Sequence, residues 1–169
     1  GVVGELRDLI HYELQRDLVL RVEPTTMEEA IEQIKDSLQA GADFNIEWRL
    51  PAKLPKILAD PDRLSRCIAS LLFHARKFRS SGGISVDAAA AQGRVELGIE
   101  YLGPKLSFSE AKSSLNLYYP AYRRNNQLLC AVGMGLGAIK DVLRLQGGDL
   151  DFRVDSEGHS ALILYIPMA

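Results

Sequence analysis

Apolar residues recur at helical spacing in four stretches of this chain. They recur at alternate positions in several shorter ones. Leu6, Leu9, Ile10 and Leu14 form one stripe and predict a helix over residues 2–15. Ile31, Ile34 and Leu38 predict a second helix, opened by Pro24-Thr25-Thr26, favoured by Glu28 and Glu29 in its first turn and stopped at Gly41. Asp60-Pro61 supplies a cap and a first-turn proline for a third helix, whose wide apolar face is Leu64, Ile68, Leu71, Leu72 and Ala75. A fourth follows Gly133-Met134-Gly135-Leu136-Gly137 and ends near Gln146, with Gly147 at its C-terminal side.

Between these helices the period shortens to two. Residues 18–22 read as a short strand, and Phe44, Ile46 and Trp48 alternate with polar neighbours. Residues 56–59 form a short extended piece after the proline-bracketed turn of residues 50–55. Residues 80–83 read as a turn. Residues 84–90 and 94–100 are two strands joined at Gln92-Gly93, a hairpin signal. Residues 101–124, rich in Ser and Tyr, read as irregular. Residues 150–154 and 161–166 make a last hairpin around Ser156-Glu157-Gly158. Strands and helices are interspersed, yet consecutive strands pair as hairpins. The fold class predicted is an α/β (α+β) two-layer sandwich: a mixed, mostly antiparallel sheet with helices packed on one face. Neither repeats nor a low-complexity linker divide the chain.

Composition narrows the function classes. With 169 residues the chain suits one domain with a real core, and 47% hydrophobic residues argue against disorder. The net charge is −2 with basic and acidic residues intermixed, which excludes an electrostatic nucleic-acid binder. Cys67 and Cys130 lie in apolar stretches and read as buried free thiols. No apolar run is long enough to span a bilayer and no signal peptide is visible, so a soluble, cytoplasmic location is expected. The start at Gly1, directly in a helix, reads as a piece of a longer protein.

Five blocks in order resemble the catalytic ATP-binding domain of sensor histidine kinases, a branch of the GHKL ATPases. The stretch from Leu54 to Leu64 is similar to the approach to the N-box helix, and Ser70 to Phe78 to the N box itself. Tyr101 to Leu106 stands at the first glycine box, Tyr118 to Arg123 resembles the aromatic F box, and Gly133 to Lys140 the second glycine box. Gly147-Gly148-Asp149-Leu150, Ser156-Glu157-Gly158 and Ile166-Pro167 look like the closing strands. The resemblance implies two parts: residues 1–17 as the tail of a dimerisation helix, and residues 18–169 as the ATP-binding-type domain. It also implies partners: the helical dimerisation module of the same protein, and a response regulator or partner kinase. With only the tail of that module present, a monomer or weak dimer is expected.

ATP and Mg²⁺ are the family's ligands, and the resemblance assigns candidate positions for them. Two Asn residues one helical turn apart normally help hold the metal; here those places are Ser70 and His74. Mg²⁺ prefers oxygen, so His74 also reads as a partly buried imidazole. Lys77 matches a phosphate-facing lysine, or is a plain cation at a helix end. The adenine-reading Asp is replaced by Tyr101, which either fills the adenine pocket or ends a strand and packs. Gly103 belongs to the same box, whose next glycine is Lys105. Gly133, Gly135 and Gly137 would turn backbone N–H groups toward phosphate at a helix start, or would only permit a tight turn. His11 faintly echoes a phosphoacceptor box, but its position makes it a helix-surface histidine. His159 lies in the final turn. No catalytic residue and no metal-ligand set is assigned.

Three functions are consistent with these residues. The first is a pseudo-ATPase domain that signals through protein contacts, motivated by Ser70, His74, Tyr101 and Lys105. The second is a divergent but active histidine kinase domain that binds ATP through the second glycine box and Lys77. The third is a pocket remodelled for another nucleotide, such as a cyclic dinucleotide.

Overall fold

The structure is a computed structural model, and it describes residues 20–39, 45–117, 123–124, 127–128 and 135–169. The order of elements is β1 (Glu23–Thr25), α1 (Met27–Gln39), β2 (Ile46–Arg49), β3 (Ile57–Ala59), α2 (Pro61–Phe78), β4 (Ser81–Ala91), β5 (Arg94–Leu102), α3 (Phe108–Ser114), β6 (Arg123–Arg124), β7 (Gln127–Leu128), α4 (Leu136–Leu145), β8 (Asp149–Val154) and β9 (His159–Pro167). Five strands form the main sheet in the order β2-β4-β5-β9-β8. Only β2 and β4 run parallel; the other three ladders are antiparallel. β1 pairs with β3, and β6 with β7, in two small ladders.

The strand period decides which face is covered. Along β5, Val95, Leu97, Ile99 and Tyr101 are buried while Glu96 and Glu100 alternate with them. Leu162 and Leu164 of β9 share that buried face with Leu150 and Phe152 of β8. Onto it pack Ile31 of α1, Leu64, Ile68, Leu71 and Leu72 of α2, and Ile139 and Leu143 of α4, in one continuous core. The two-layer sandwich with a mixed, mostly antiparallel sheet is therefore present as expected.

The start signals of α1 and α2 and the end signal of α4 act where the sequence places them. Asp60 caps α2 by accepting the amide of Arg63 at 3.1 Å, and Pro61 follows. Thr26 accepts the amide of Glu29 at the start of α1. Gly147, at φ +82°, closes α4: its amide reaches the Arg144 carbonyl and that of Gly148 the Leu143 carbonyl. Gln92 and Gly93, at φ 53° and 77°, make the tight β4–β5 turn.

Three local expectations change. Residues 20–22 are not in a strand, residues 18–19 lie outside the described residues, and pairing with β3 runs from Glu23↔Ala59. Pro24 is tolerated there because a two-stranded ladder leaves one edge without a donor requirement. The turn expected at residues 80–83 is instead the start of β4, bulged between Ser81 and Ser85 with Gly82 at φ +74°. Within residues 101–124, Phe108–Ser114 is helical, fixed by a reciprocal capping box between Ser107 and Glu110. α3 lies against β8, where Lys112 pairs with Asp151. The expectations for residues 2–15, His11, Gly41, Phe44 and Cys130 fall outside the described residues. Cys67 is a fully buried free thiol, and burial pushes its pKa up to about 12.

Candidate functional site

Ser70, His74 and Lys77 lie on α2 at positions i, i+4 and i+7, and so on one side of the helix. The imidazole of His74 packs against Phe78, with ring centroids 4.6 Å apart, and meets Phe152 of β8 edge-on at 6.1 Å. Burial, with a smaller contribution from the Lys77 charge, lowers the His74 pKa to about 4. At neutral pH this group is an uncharged ring wedged between two aromatics. Burial also lowers the pKa of Lys77, whose Nζ lies 6.0 Å from the Phe78 ring centroid.

Tyr101 and Gly103 close the end of β5. Tyr101 is 5% exposed and sits in register with Ser160 of β9. Burial raises the phenol's pKa, opposed by a hydrogen bond to the Ser160 side chain. The amide of Gly103 donates to the Gly158 carbonyl at 2.9 Å, which ties the strand end to the β8–β9 turn. A β-carbon on Gly103 would stand 2.9 Å from Cε2 of Tyr101 and 3.3 Å from both the Phe78 carbonyl and Ser160 Oγ. Packing against its own chain therefore favours glycine at 103. Lys105 is exposed beyond this corner.

Gly135 and Gly137 open α4. Gly135 is the N-cap residue, with no side-chain cap to offer. The amide of Gly137 donates to the Leu117 carbonyl at 2.6 Å. A β-carbon on Gly137 would lie 2.8 Å from that oxygen and 3.0 Å from the carbonyl carbon of Asn116. Leu136 and Ala138 are buried on either side. One N–H that would face an anion is therefore already satisfied by backbone. Gly133 and the aromatic residues 118–122 lie outside the described residues.

His74, Phe78, Gly103, Tyr101 and Ser160 are brought into one contiguous cluster, while Gly135 and Gly137 stand on α4, which packs against α2. Ser160 and Phe152 escaped the sequence reading, because their relevance depends on strand register rather than on a motif. The donor set is a poor fit for Mg²⁺: Ser70 offers one hydroxyl and His74 a neutral nitrogen, where the ion requires several oxygens. Among the described residues there is no group of three His, Cys, Asp or Glu placed to hold a metal. A cleft of about 380 Å³ opens beside this corner, lined by Gly83, Ser85, Glu100 and Ala161 together with Tyr101, His159 and Ser160. Ser85, Glu100 and Ala161 are cross-strand neighbours on the sheet face opposite α2.

No protein-family model matches the chain, and no curated protein matches it by sequence. Solved structures do. Full-length ShkA, determined in complex with AMPPNP, superposes with a TM-score of 0.73 at 20% identity over 99% of this chain, which spans 36% of ShkA. The mycobacterial sensor histidine kinase MprB matches with a TM-score of 0.69 at 21% identity, over 88% of this chain and 98% of its own. The Acinetobacter baumannii histidine kinase AdeS matches with a TM-score of 0.67 at 18% identity, over 96% and 76% respectively. The fold is that of histidine kinase ATP-binding domains. Among the described residues, no helix is long and apolar enough to cross a membrane.

Proposed function

We propose that this chain is the ATPase-like domain of a two-component sensor histidine kinase whose nucleotide site is closed, so that it acts in signal transduction by protein contact. On this reading its partners are the helical dimerisation module of its own protein and a response regulator or partner kinase. The observation that carries the proposal is the bond from the Gly137 amide to the Leu117 carbonyl, 2.6 Å long. The second glycine box is the motif that departs least from the family pattern, yet there the chain's own backbone takes the place of an anionic oxygen. Tyr101, buried against Gly103 and Ser160, supports the same reading on the adenine side.

Phosphoryl transfer depends almost entirely on positioned phosphates and neutralised charge. A site with a neutral His74, no metal-type cluster among the described residues and an internally capped α4 supplies neither. Isothermal titration of ATP, with and without Mg²⁺, is the direct test. The expected result is no binding in the micromolar range and no phosphate release above a heat-treated control. Micromolar Mg-ATP binding with release above that control would overturn the proposal in favour of an active, divergent kinase domain.

A further inference from the structure

Three distant parts of the chain meet at Asp60, which is 6% exposed. Its Oδ1 accepts the Arg63 amide at 3.1 Å and caps α2. Its Oδ2 accepts the amide of Arg21, 39 residues earlier, at 2.9 Å. Its own amide donates to Oε1 of Gln146, 86 residues later, at 2.8 Å. Gln146 is 5% exposed, follows the last residue of α4, and donates through Nε2 to the Val142 carbonyl at 3.1 Å.

Capping explains only one of these bonds. A cap needs a single oxygen, and Ser or Thr would supply it. The second carboxylate oxygen is spent on the backbone of the segment that leads into the domain. The buried glutamine is used at both ends of its amide, and a buried polar group persists only when it is satisfied. From these contacts we infer that Asp60 and Gln146 form a mechanical joint. It couples the segment around Arg21 to the N-terminus of α2 and the C-terminus of α4. These are the helices that carry Ser70, His74 and Lys77, and Gly135 and Gly137. A displacement of residue 21 must break its bond to Asp60 or move the cap of α2 with it. That this joint transmits a signal rests on the proposed function; that it exists does not.

Amide hydrogen exchange in the full chain, measured by NMR, tests the joint without any nucleotide. Gln146→Leu removes the acceptor of the Asp60 amide, and exchange there is expected to rise about fivefold, the order of one net hydrogen bond. The diagnostic position is Arg21, which Gln146 does not touch. If the joint is coupled, exchange at Arg21 rises as well, by at least about twofold. Asp60→Ser keeps a one-oxygen cap, so exchange at Arg63 should hold while that at Arg21 rises and the Gln146 side-chain amide resonances shift. Ser107→Ala, which weakens only the cap of α3, controls for general loss of stability. Faster exchange at Asp60 with Arg21 unchanged in Gln146→Leu would overturn the inference, and this holds even if Asp60→Ser fails to fold. Because no readout involves ATP, the joint can fail while the closed-site proposal stands, and the reverse.

Discussion

The backbone of Gly103 and that of Gly158 are in direct contact: the Gly103 amide donates to the Gly158 carbonyl at 2.9 Å, and a β-carbon on Gly158 would lie 2.4 Å from the Gly103 carbonyl oxygen. The end of β5 and the β8–β9 turn are thereby fastened backbone to backbone. The two glycines answer to different constraints. Gly158 has φ +90°, whereas Gly103 has no positive φ and is confined only by its neighbours.

Their alanine variants should therefore differ. Gly158→Ala combines a disfavoured backbone with a clash against another backbone and is expected to cost about 2–4 kcal/mol. Gly103→Ala meets the Tyr101 ring and the Phe78 carbonyl and should cost about 1–3 kcal/mol. Urea unfolding of both variants measures this. A Gly158→Ala protein as stable as the parent would contradict the contact.

His74 sets a pH dependence. Its folded pKa of about 4 lies below the ordinary histidine value of 6.5, because burial disfavours the imidazolium. Between those values the unfolded chain binds the proton and the folded chain does not, so stability falls as pH drops from 6.5 toward 4. From pH 7 to pH 5 this group alone is expected to remove about 2 kcal/mol. His74→Phe should lessen the loss by that amount, read from urea midpoints at the two pH values. An identical pH slope in parent and variant would show that the ring is not held neutral.

Restoring the family pattern tests the reading of the corner. Tyr101→Asp with Lys105→Gly should raise ATP affinity roughly tenfold, the effect of a restored base contact worth about 1–3 kcal/mol. Adding His74→Asn should help further only when Mg²⁺ is present. Circular dichroism must first show that each variant folds, since Tyr101 is a core residue. No gain in a folded triple variant would mean that the adenine corner is not what excludes the nucleotide.

Cys67 should be chemically silent. Full burial and a pKa of about 12 leave almost no thiolate at neutral pH. Iodoacetamide followed by peptide mapping should modify Cys67 only in denaturant. Native labelling on the same timescale would show that α2 opens readily.

The helix caps, the Gln92-Gly93 turn, the alternation along β5 and the layer architecture were legible because each is written in local spacing. The candidate positions on α2 came from the family resemblance, and local spacing showed only that they share one side of the helix. What escaped was set by register or by approach across the fold. Ser160 acquires a role only because β9 pairs it with Tyr101. Leu117 acquires one only because its carbonyl meets α4. The helix over Phe108–Ser114 carried a readable signal in Ser107-Phe108-Ser109-Glu110, masked by the polar, Ser-rich character of its surroundings. β1 was misplaced because residues 18–22 have the better strand composition, while pairing with β3 begins at Glu23.

The crossing of residues 116–117 over Gly137 bears on how such sequences are sorted. Any side chain at 137 would collide with main chain, so selection for folding alone is enough to hold glycine there. A lineage that had lost every use for a nucleotide would still pass on this position unchanged. The glycine at 137 therefore records a backbone crossing, and a search that scores it as a ligand motif reads as recognition what packing alone already demands.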